Sequence, residues 1–372
     1  MTSSSPGRTR ETGTQGDLPE ESHRAPEHPH RKAAGMKAFV VEKYGKDGVR
    51  AAEAPEPTVG DRDVLVRVRA AGINPLDKMV RNGEFRQILK YKRPFVLGHD
   101  VAGVVTQVGS AVHGFKVGDE VYARPRDLRV GGFAEFIAID ADDVAPKPAS
   151  LSLEEAAAVP LVALTAWQIL VERAHVKPGQ KVLVHAGAGG LGSTVIQLAK
   201  HLGATVATTA NTRSDELVRS LGADVVVDYT KEDFSKVLSG YDLVLDSLGG
   251  ANLEKSLTVL KPGGLAISVV GPPDAGFAKQ LGAPSVLGLV MNTLSRKIRK
   301  QAKRLGVRYE FLFMQANGSQ LRKLGALYDS GKLRPVIDST FPFDQTLEAM
   351  AHVEQGRTKA GKVVVSMAPD ND

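Results

Sequence analysis

No cysteine occurs among the 372 residues. Disulfides are therefore excluded, and so is any zinc site built on thiolates. The composition is compatible with a reducing compartment, and a cytoplasmic location is the expectation. No apolar run reaches the length that a membrane-spanning helix requires, so stable membrane insertion is not expected. The first 35 residues have almost nothing to bury. They carry five basic residues (Arg8, Arg10, Arg24, Arg31, Lys32) and five acidic ones (Glu11, Asp17, Glu20, Glu21, Glu27), which cancel. Such a segment gains little to offset the entropy of ordering, and is expected to be disordered and dispensable for folding and catalysis. It also lacks the apolar core of a secretory signal.

The formal net charge is +6. It comes from one place. Residues 271 to 310 hold Lys279, Arg296, Lys297, Arg299, Lys300, Lys303, Arg304 and Arg308 against only Asp274 and Glu310. Leu294, Ile298, Ala302 and Leu305 fall on one helical face there. The segment reads as a surface helix with a solvated basic side, or as an attractor for an acidic partner or anionic lipid. Aromatics are only 5% of the chain and none lies within the basic run 296–304, so nucleic acid is not an expected partner.

Hydrophobic residues make up 42% of the chain, and its length suffices for two domains. Val64, Val66, Val68 and Ala70 alternate with Leu65, Arg67, Arg69 and Ala71, as in a half-exposed strand. Further strand-like runs at 103–108 and 133–139, with turns at Gly118-Asp119 and Gly131-Gly132, mark a compact, mostly β region. Beyond Pro160 the texture changes. KVLVHA, ATVATTA, DVVVDY, YDLVLDS and GLAISVV are short apolar runs separated mostly by helix-like stretches, the pattern of a parallel sheet with crossover helices. Helices are expected over 321–330 and 343–355, and the last strand, GKVVVSM, is expected to return to the first domain. The α/β division is thus a tail (1–35), a β-rich domain (36–160), a dinucleotide-binding domain (161–318) and the return (319–372). A cleft between the two domains is the expected ligand site.

The most informative stretch is VLVHAGAGGLGSTVIQLAKHLGA, residues 182–204. A buried strand runs into Gly187, Ala188, Gly189, Gly190, Leu191 and Gly192, and a helix is expected over 193–201. Gly187, Gly189 and Gly192 fit G-x-G-x-x-G. The first glycine permits a tight turn, the second lets a pyrophosphate approach the backbone, and the third lets helix and strand pack closely. A glycine-rich turn without ligand is the plainer reading, but the strand before and helix after favour a dinucleotide. An NAD-specific site places an acid near the end of the second strand, to grip the ribose 2′-OH. The tip here reads Thr209, Ala210, Asn211, Thr212, Arg213. Hydroxyls, an amide and a guanidinium suit a 2′-phosphate, so NADP is the expected cofactor, with Thr209, Asn211 and Arg213 as its grip.

Several segments together resemble the medium-chain dehydrogenase/reductases, and within them the zinc-free quinone oxidoreductase (zeta-crystallin-like) branch. They include AGINPLDKMVRNG (71–83), PFVLGHDVAGVVTQVG (94–109), FKVGDEVYA (115–123), AAVPLVALTAW (157–167), HAGAGGLG (185–192), DSLGG (246–250) and GKVVV (361–365). The resemblance implies a Rossmann domain inserted into a GroES-like β domain, NADPH in the cleft, and hydride transfer to a quinone or α,β-unsaturated carbonyl. It also implies homodimers. Ala186, Gly189 and Gly192 match the branch's A-x-x-G-x-x-G form, and Asn74 matches its asparagine near the nicotinamide. The catalytic cysteine and four-cysteine lobe of zinc alcohol dehydrogenases are missing. His99 matches a zinc-ligand histidine but is followed by Asp100, and it reads as a packing or hydrogen-bonding residue. No metal is expected.

Hydride transfer needs position, dryness and donors aimed at a developing oxyanion. Asn74 reads either as such a donor or as a turn former before Pro75. Tyr122 either reaches the cleft or packs in the core. Thr165 either touches the nicotinamide or packs its helix. Ser247, Gly249 and Gly250 lie at a strand end, where ligands of parallel sheets gather. Two other readings stay open: an alcohol dehydrogenase whose altered metal site joins His99 to Asp100 or Glu135, and a nucleotide-binding scaffold that docks through its basic helix.

Overall fold

The computed structural model describes residues 35–282 and 285–367. The disorder expected of residues 1–35 concerns a segment that, apart from Gly35, lies outside them. Gly35 itself opens the first strand.

The first part of the chain is β-rich. It runs β1 (Gly35–Val41), β2 (Val49–Pro55), β3 (Asp63–Ile73), α1 (Pro75–Asn82), β4 (Phe95–Val96), β5 (Asp100–Val108), β6 (Glu120–Ala123), β7 (Phe136–Asp140) and β8 (Val144–Pro146). The alternation that suggested a half-exposed strand is realised in β3. Val64, Val66, Val68 and Ala70 are buried and Leu65, Arg67 and Arg69 are half-buried, but Ala71, expected on the half-exposed side, is fully buried. β3 pairs with β5 and β7 and is the hub of a seven-stranded sheet. α2 (Leu153–Ala157) and α3 (Pro160–Trp167) then lead into the second part.

There, strands alternate with helices: β9 (Lys181–Val184), α4 (Gly190–His201), β10 (Thr205–Ala210), α5 (Asp215–Ser220), β11 (Val225–Asp228), α6 (Phe234–Val237), β12 (Tyr241–Asp246), α7 (Gly250–Ser256), β13 (Leu260–Ser268), α8 (Ala275–Gln280), α9 (Ser285–Leu294), α10 (Arg296–Leu305) and β14 (Arg308–Phe311). All six strands are parallel, in the order β11-β10-β9-β12-β13-β14. The strand order reverses between β9 and β12, which opens a crevice at their carboxyl ends. Val182, Leu183 and Val184 on β9 are fully buried because helices cover both faces of such a sheet.

α11 (Gly318–Asp329), β15 (Ile337–Pro342), α12 (Thr346–Glu354) and β16 (Lys362–Ser366) close the chain. β16 pairs antiparallel with β3, with Val363 opposite Ile73, so the end of the chain rejoins the first sheet.

Two expectations are corrected here. The helix after the glycine turn begins at Gly190 rather than Ser193, because Gly189, in extended conformation, is its N-cap. The basic helix begins at Arg296, so Leu294 belongs to α9. Ile298 and Ala302 are buried as the pattern requires, whereas Leu294 and Leu305 are exposed.

The cleft reading of Tyr122 is also corrected. Its side chain is fully buried and its hydroxyl donates to the Leu321 carbonyl at 2.6 Å. Burial pushes the phenol well above its ordinary pKa. The residue ties β6 to α11. Tyr122→Phe removes this bond, while the Leu321 carbonyl keeps its place in the α11 ladder, and should cost about 1 kcal/mol. A lower melting temperature with unchanged kcat is the expected outcome, and a large loss of kcat in a stably folded variant would return Tyr122 to the reaction.

Candidate active site

The glycine turn sits at the carboxyl end of β9. A Cβ on Gly187 would lie 2.0 Å from Thr208 Oγ1, and one on Gly192 would lie 2.3 Å from the Ala186 carbonyl oxygen. Both glycines are therefore demanded by the protein's own packing. A Cβ on Gly189 meets only the Ala186 oxygen, at 3.3 Å. That side is open, as a cradle for a ligand requires. The turn leads directly into α4, whose first N–H groups, from Gly190 to Gly192, point out of the helix start and suit an anion.

Ala186 holds φ of 53°, a left-handed conformation rare for a residue with a Cβ. Thr209 pins it. Thr209 Oγ1 accepts from the Ala186 N–H at 3.2 Å and lies 3.1 Å from His185 Nδ1. Ser256 gives its own proton to the Asn252 carbonyl, so it accepts from His185 Nε2–H at 2.8 Å. That fixes the tautomer: His185 Nδ1 is bare and Thr209 donates to it. Thr209 is thus buried inside the turn and shapes it. The expectation that its hydroxyl grips a 2′-phosphate is corrected on this geometry.

Asn211 and Arg213 follow at the tip of β10. Asn211 Oδ1 accepts from the backbone and hydroxyl of Ser214, at 3.1 Å each. Arg213 is exposed. The structure adds a carboxylate that the sequence reading missed. Asp228, at the end of the neighbouring β11, accepts from Thr212 Oγ1 and Thr230 Oγ1. These bonds hold its carboxyl below the usual range. Across the crevice, Asp246 is fully buried. It accepts from Ser268 Oγ at 2.6 Å and from the Gly249 N–H at 3.0 Å. It so shapes the loop carrying Ser247, Gly249 and Gly250, whose glycines adopt φ of 69° and 54°.

The decisive geometry lies where the end of the chain meets the turn. The Gly361 N–H donates to the Ala188 carbonyl at 2.7 Å, which lays Lys362 along the start of α4. A Cβ on Gly190 would stand 2.7 Å from Lys362 Cδ, so this glycine makes room for the lysine stem. Lys362 is buried, and its ammonium donates to Asn74 Oδ1 and, at 3.1 Å, to Asp100 Oδ2. Asn74 has both amide hydrogens engaged, on Asp100 Oδ2 at 2.9 Å and on the Gly72 carbonyl at 3.3 Å. Asn74 thus holds the lysine and has no amide hydrogen left to give. An ammonium has three N–H bonds, so one remains.

These groups line one cavity of about 360 Å³. Its walls are mainly apolar, with Ile73, Leu76, Met79, Phe85, Leu161, Val269 and Phe313 among them. Asn74, Thr165, Ser247, Gly190 and Lys362 also line it, while Tyr122 and Arg213 do not. Thr165 donates to the Leu161 carbonyl at 2.7 Å, which leaves its oxygen as an acceptor. His99 stands behind the wall, fully buried, its Nδ1 2.6 Å from Asp77 Oδ1. Asp77 also accepts from the Asn74 N–H at 2.7 Å, closing a capping box at the start of α1. Among the described residues, no group of three or more His, Asp or Glu side chains is placed to hold a metal ion.

Residues 60–149 match the family described as "Alcohol dehydrogenase GroES-like domain", and residues 221–365 match "Zinc-binding dehydrogenase". The chain is 36% identical over 358 residues to a zebrafish (Danio rerio) NAD(P)H oxidoreductase RTN4IP1, mitochondrial, covering 90% of this chain and 92% of that protein. The chain belongs to the medium-chain dehydrogenase/reductase superfamily, in its quinone oxidoreductase-like branch. This dehydrogenase/reductase is also 38% identical over 349 residues to 2-methylene-furan-3-one reductase of Solanum lycopersicum, covering 90% of the chain and 80% of that protein. The solved quinone oxidoreductase of Coxiella burnetii superposes with a TM-score of 0.78 at 32% identity, over 90% of this chain and all of that one. The chain is an oxidoreductase that uses a nicotinamide cofactor, and its GroES-like and Rossmann parts are those the resemblance implied.

His185 offers a test of the turn's construction. Burial draws its imidazole down to about 4 from an ordinary 6.5. The unfolded chain therefore binds a proton that the folded chain refuses as pH falls from about 7 towards 4. His185→Gln removes that penalty. The stability advantage of the unaltered protein over this variant should shrink steadily through that window, as read by denaturant melts, and a constant gap would show that His185 does not stay neutral when folded.

Proposed function

We propose that this dehydrogenase/reductase transfers a hydride from NADPH to a quinone or α,β-unsaturated carbonyl, without a catalytic metal. One observation carries the reading: a largely apolar cavity in which a buried ammonium, Lys362 Nζ, keeps a free N–H beside the glycine turn. The tomato relative is named as a furanone reductase and the Coxiella structure as a quinone oxidoreductase, both consistent with a flat, conjugated, oxygen-bearing acceptor.

The cradle at Gly189 and the N–H groups of Gly190 to Gly192 fit a pyrophosphate. Thr165 fits a carboxamide N–H, while Ser247, Gly249 and Gly250 fit the adjoining ribose. The bound cofactor supplies the hydride. The apolar walls exclude water and align the flat acceptor. As negative charge develops on the acceptor oxygen, the remaining Lys362 N–H donates to it, in a dry site where such a donor acts strongly. Asp100 and Asn74 hold the ammonium in place, and the Leu161 N–H in turn fixes Asp100 at 2.7 Å. The chain has no cysteine to supply the thiolate ligands of a zinc alcohol dehydrogenase site. We further read the working form as a homodimer in the cytoplasm. The sheet ends in the edge strand β14, whose unpaired rim suits a second copy. The zebrafish relative is named as mitochondrial, so cell fractionation is the direct check on compartment.

Lys362→Met alone would strand a buried carboxylate. Combined with Asp100→Asn, it removes both charges together. That double variant should fold and lower kcat for a soluble quinone or enone about 100-fold, with Lys362→Arg in the unaltered background intermediate. Full kcat in the double variant would remove Lys362 from the reaction, and no turnover by the unaltered protein across quinones, alkenals and cyclic enones would overturn the function itself.

Cofactor choice rests on Arg213 against Asp228. Arg213 attracts a 2′-phosphate and Asp228 opposes it. In a titration NADPH should bind more tightly than NADH. Arg213→Asp should erase that difference through NADPH alone, and Asp228→Asn should widen it. Equal affinities in the unaltered protein would overturn the assignment.

A further inference from the structure

α9 and α10 run end to end as one amphipathic rod, interrupted at the turn residue Ser295. The bonds from the Ser295 N–H to the Met291 carbonyl and from the Arg299 N–H to the Ser295 carbonyl, both 3.0 Å, carry the helical pattern across the junction. The buried side confirms it: Met291, Ser295, Ile298 and Ala302 recur at intervals of four and three. The opposite side is therefore a single outer face. Its first half is apolar, with Val286 73%, Leu289 69%, Val290 50% and Leu294 60% exposed. Its second half is basic, with Arg296, Lys297, Lys300, Lys303 and Arg304 all exposed. Lys297 pairs with Glu254 at 2.5 Å. Among the described residues, Arg296, Lys300, Lys303 and Arg304 have no carboxylate partner.

We infer that this face docks the protein on an anionic lipid surface. Isolated exposed leucines are ordinary, but four large aliphatics on one helix face are an exposed patch of the kind that marks an interaction site. A bilayer satisfies both halves: the headgroup–acyl boundary receives the valines and leucines, and anionic headgroups receive the free cations. A second copy of the chain satisfies only the first. In a two-fold dimer that buries the patch against itself, parallel rods would set the four free cations against four, and antiparallel rods would leave them uncovered. No helix among the described residues is long and apolar enough to cross a membrane, so the contact is peripheral.

The inner side of the same rod gives the contact a consequence. Met291 packs in a cluster with Phe277 and Phe313, and Phe313 lines the cavity. Docking through α9 therefore sets the apolar wall of the active site next to the lipid, within reach of a lipophilic acceptor. The docking itself does not depend on the acceptor proposed above.

Flotation of the full chain with vesicles tests this without reading turnover. Vesicles of phosphatidylcholine carrying phosphatidylglycerol should bind about tenfold or more tightly than phosphatidylcholine alone, and raised salt should weaken the binding. Leu289→Ser with Val290→Ser, and separately Lys300→Glu with Arg304→Glu, should each abolish it. Neither pair touches the cavity, so turnover of a soluble acceptor should be unchanged, which also shows that the variants fold. Equal binding to both vesicle types overturns the proposal. So does anionic binding that survives the serine pair, because charge alone would then explain it. A serine pair that dissociates a dimer while leaving vesicle binding intact overturns it in favour of a second copy.

Discussion

The approach of Gly361 and Lys362 to the glycine turn is the contact on which the active site depends. It brings together residues more than 170 positions apart, and it has almost no steric freedom. A Cβ on Gly361 would stand 2.1 Å from the Val336 oxygen, and one on Gly190 would strike the lysine stem. With both positions bare, the final strand can pair with β3 on one side and lie against the start of α4 on the other. The GroES-like and Rossmann parts are thereby locked at the point where the parallel sheet reverses its strand order. A loose hinge there would leave the Lys362 ammonium without a fixed target, and misplacement by an ångström is costly to a donor of this kind.

Burying that ammonium raises a second constraint. A lysine and an aspartate taken out of water are costly unless their remaining bonds are filled. The surroundings fill nearly all of them. Asp100 accepts from Lys362, Asn74 and the Leu161 N–H, and Asn74 gives its second hydrogen to Gly72. Asp77 and His99 then brace Asn74 from behind through the cap of α1. His99 serves Asp77, Asp100 serves Lys362, and the two carboxylates act on opposite sides of one asparagine.

Much of this was legible in the sequence because it is local. G-x-G-x-x-G between a buried strand and a helix, the β3 alternation, and the regular recurrence of short apolar runs each follow from backbone geometry within one element. What escaped is what depends on distant pairing. GKVVV reads as a strand, and only its register against β3 reveals that Lys362 enters the cavity. Tyr122 is equally plausible in core or cleft until α11 is seen to cover it. Thr209 sits where a 2′-phosphate grip belongs in sequence, yet its side chain alternates inward to hold Ala186 in its left-handed turn. Asp228 lies a whole strand away from the fingerprint that was searched for an acid, and parallel register alone brings it to Thr212.

The crossover between β13 and β14 shows how one segment can carry two constraints with no motif for either. The inner face of its helices packs behind Phe313, which lines the cavity, and Phe277 and Met291 supply that packing. Helical spacing forces the intervening positions outward, where nothing in the fold demands a particular chemistry. Ordinary solubility would favour mixed polar residues there. Instead the outward positions are sorted lengthwise, aliphatic along α9 and basic along α10. Core packing accounts for the inner face alone, and a hydrophobic core has no use for the order of the outer one. That sorting is a constraint from outside the molecule, imposed on the element that also packs behind one wall of its active site.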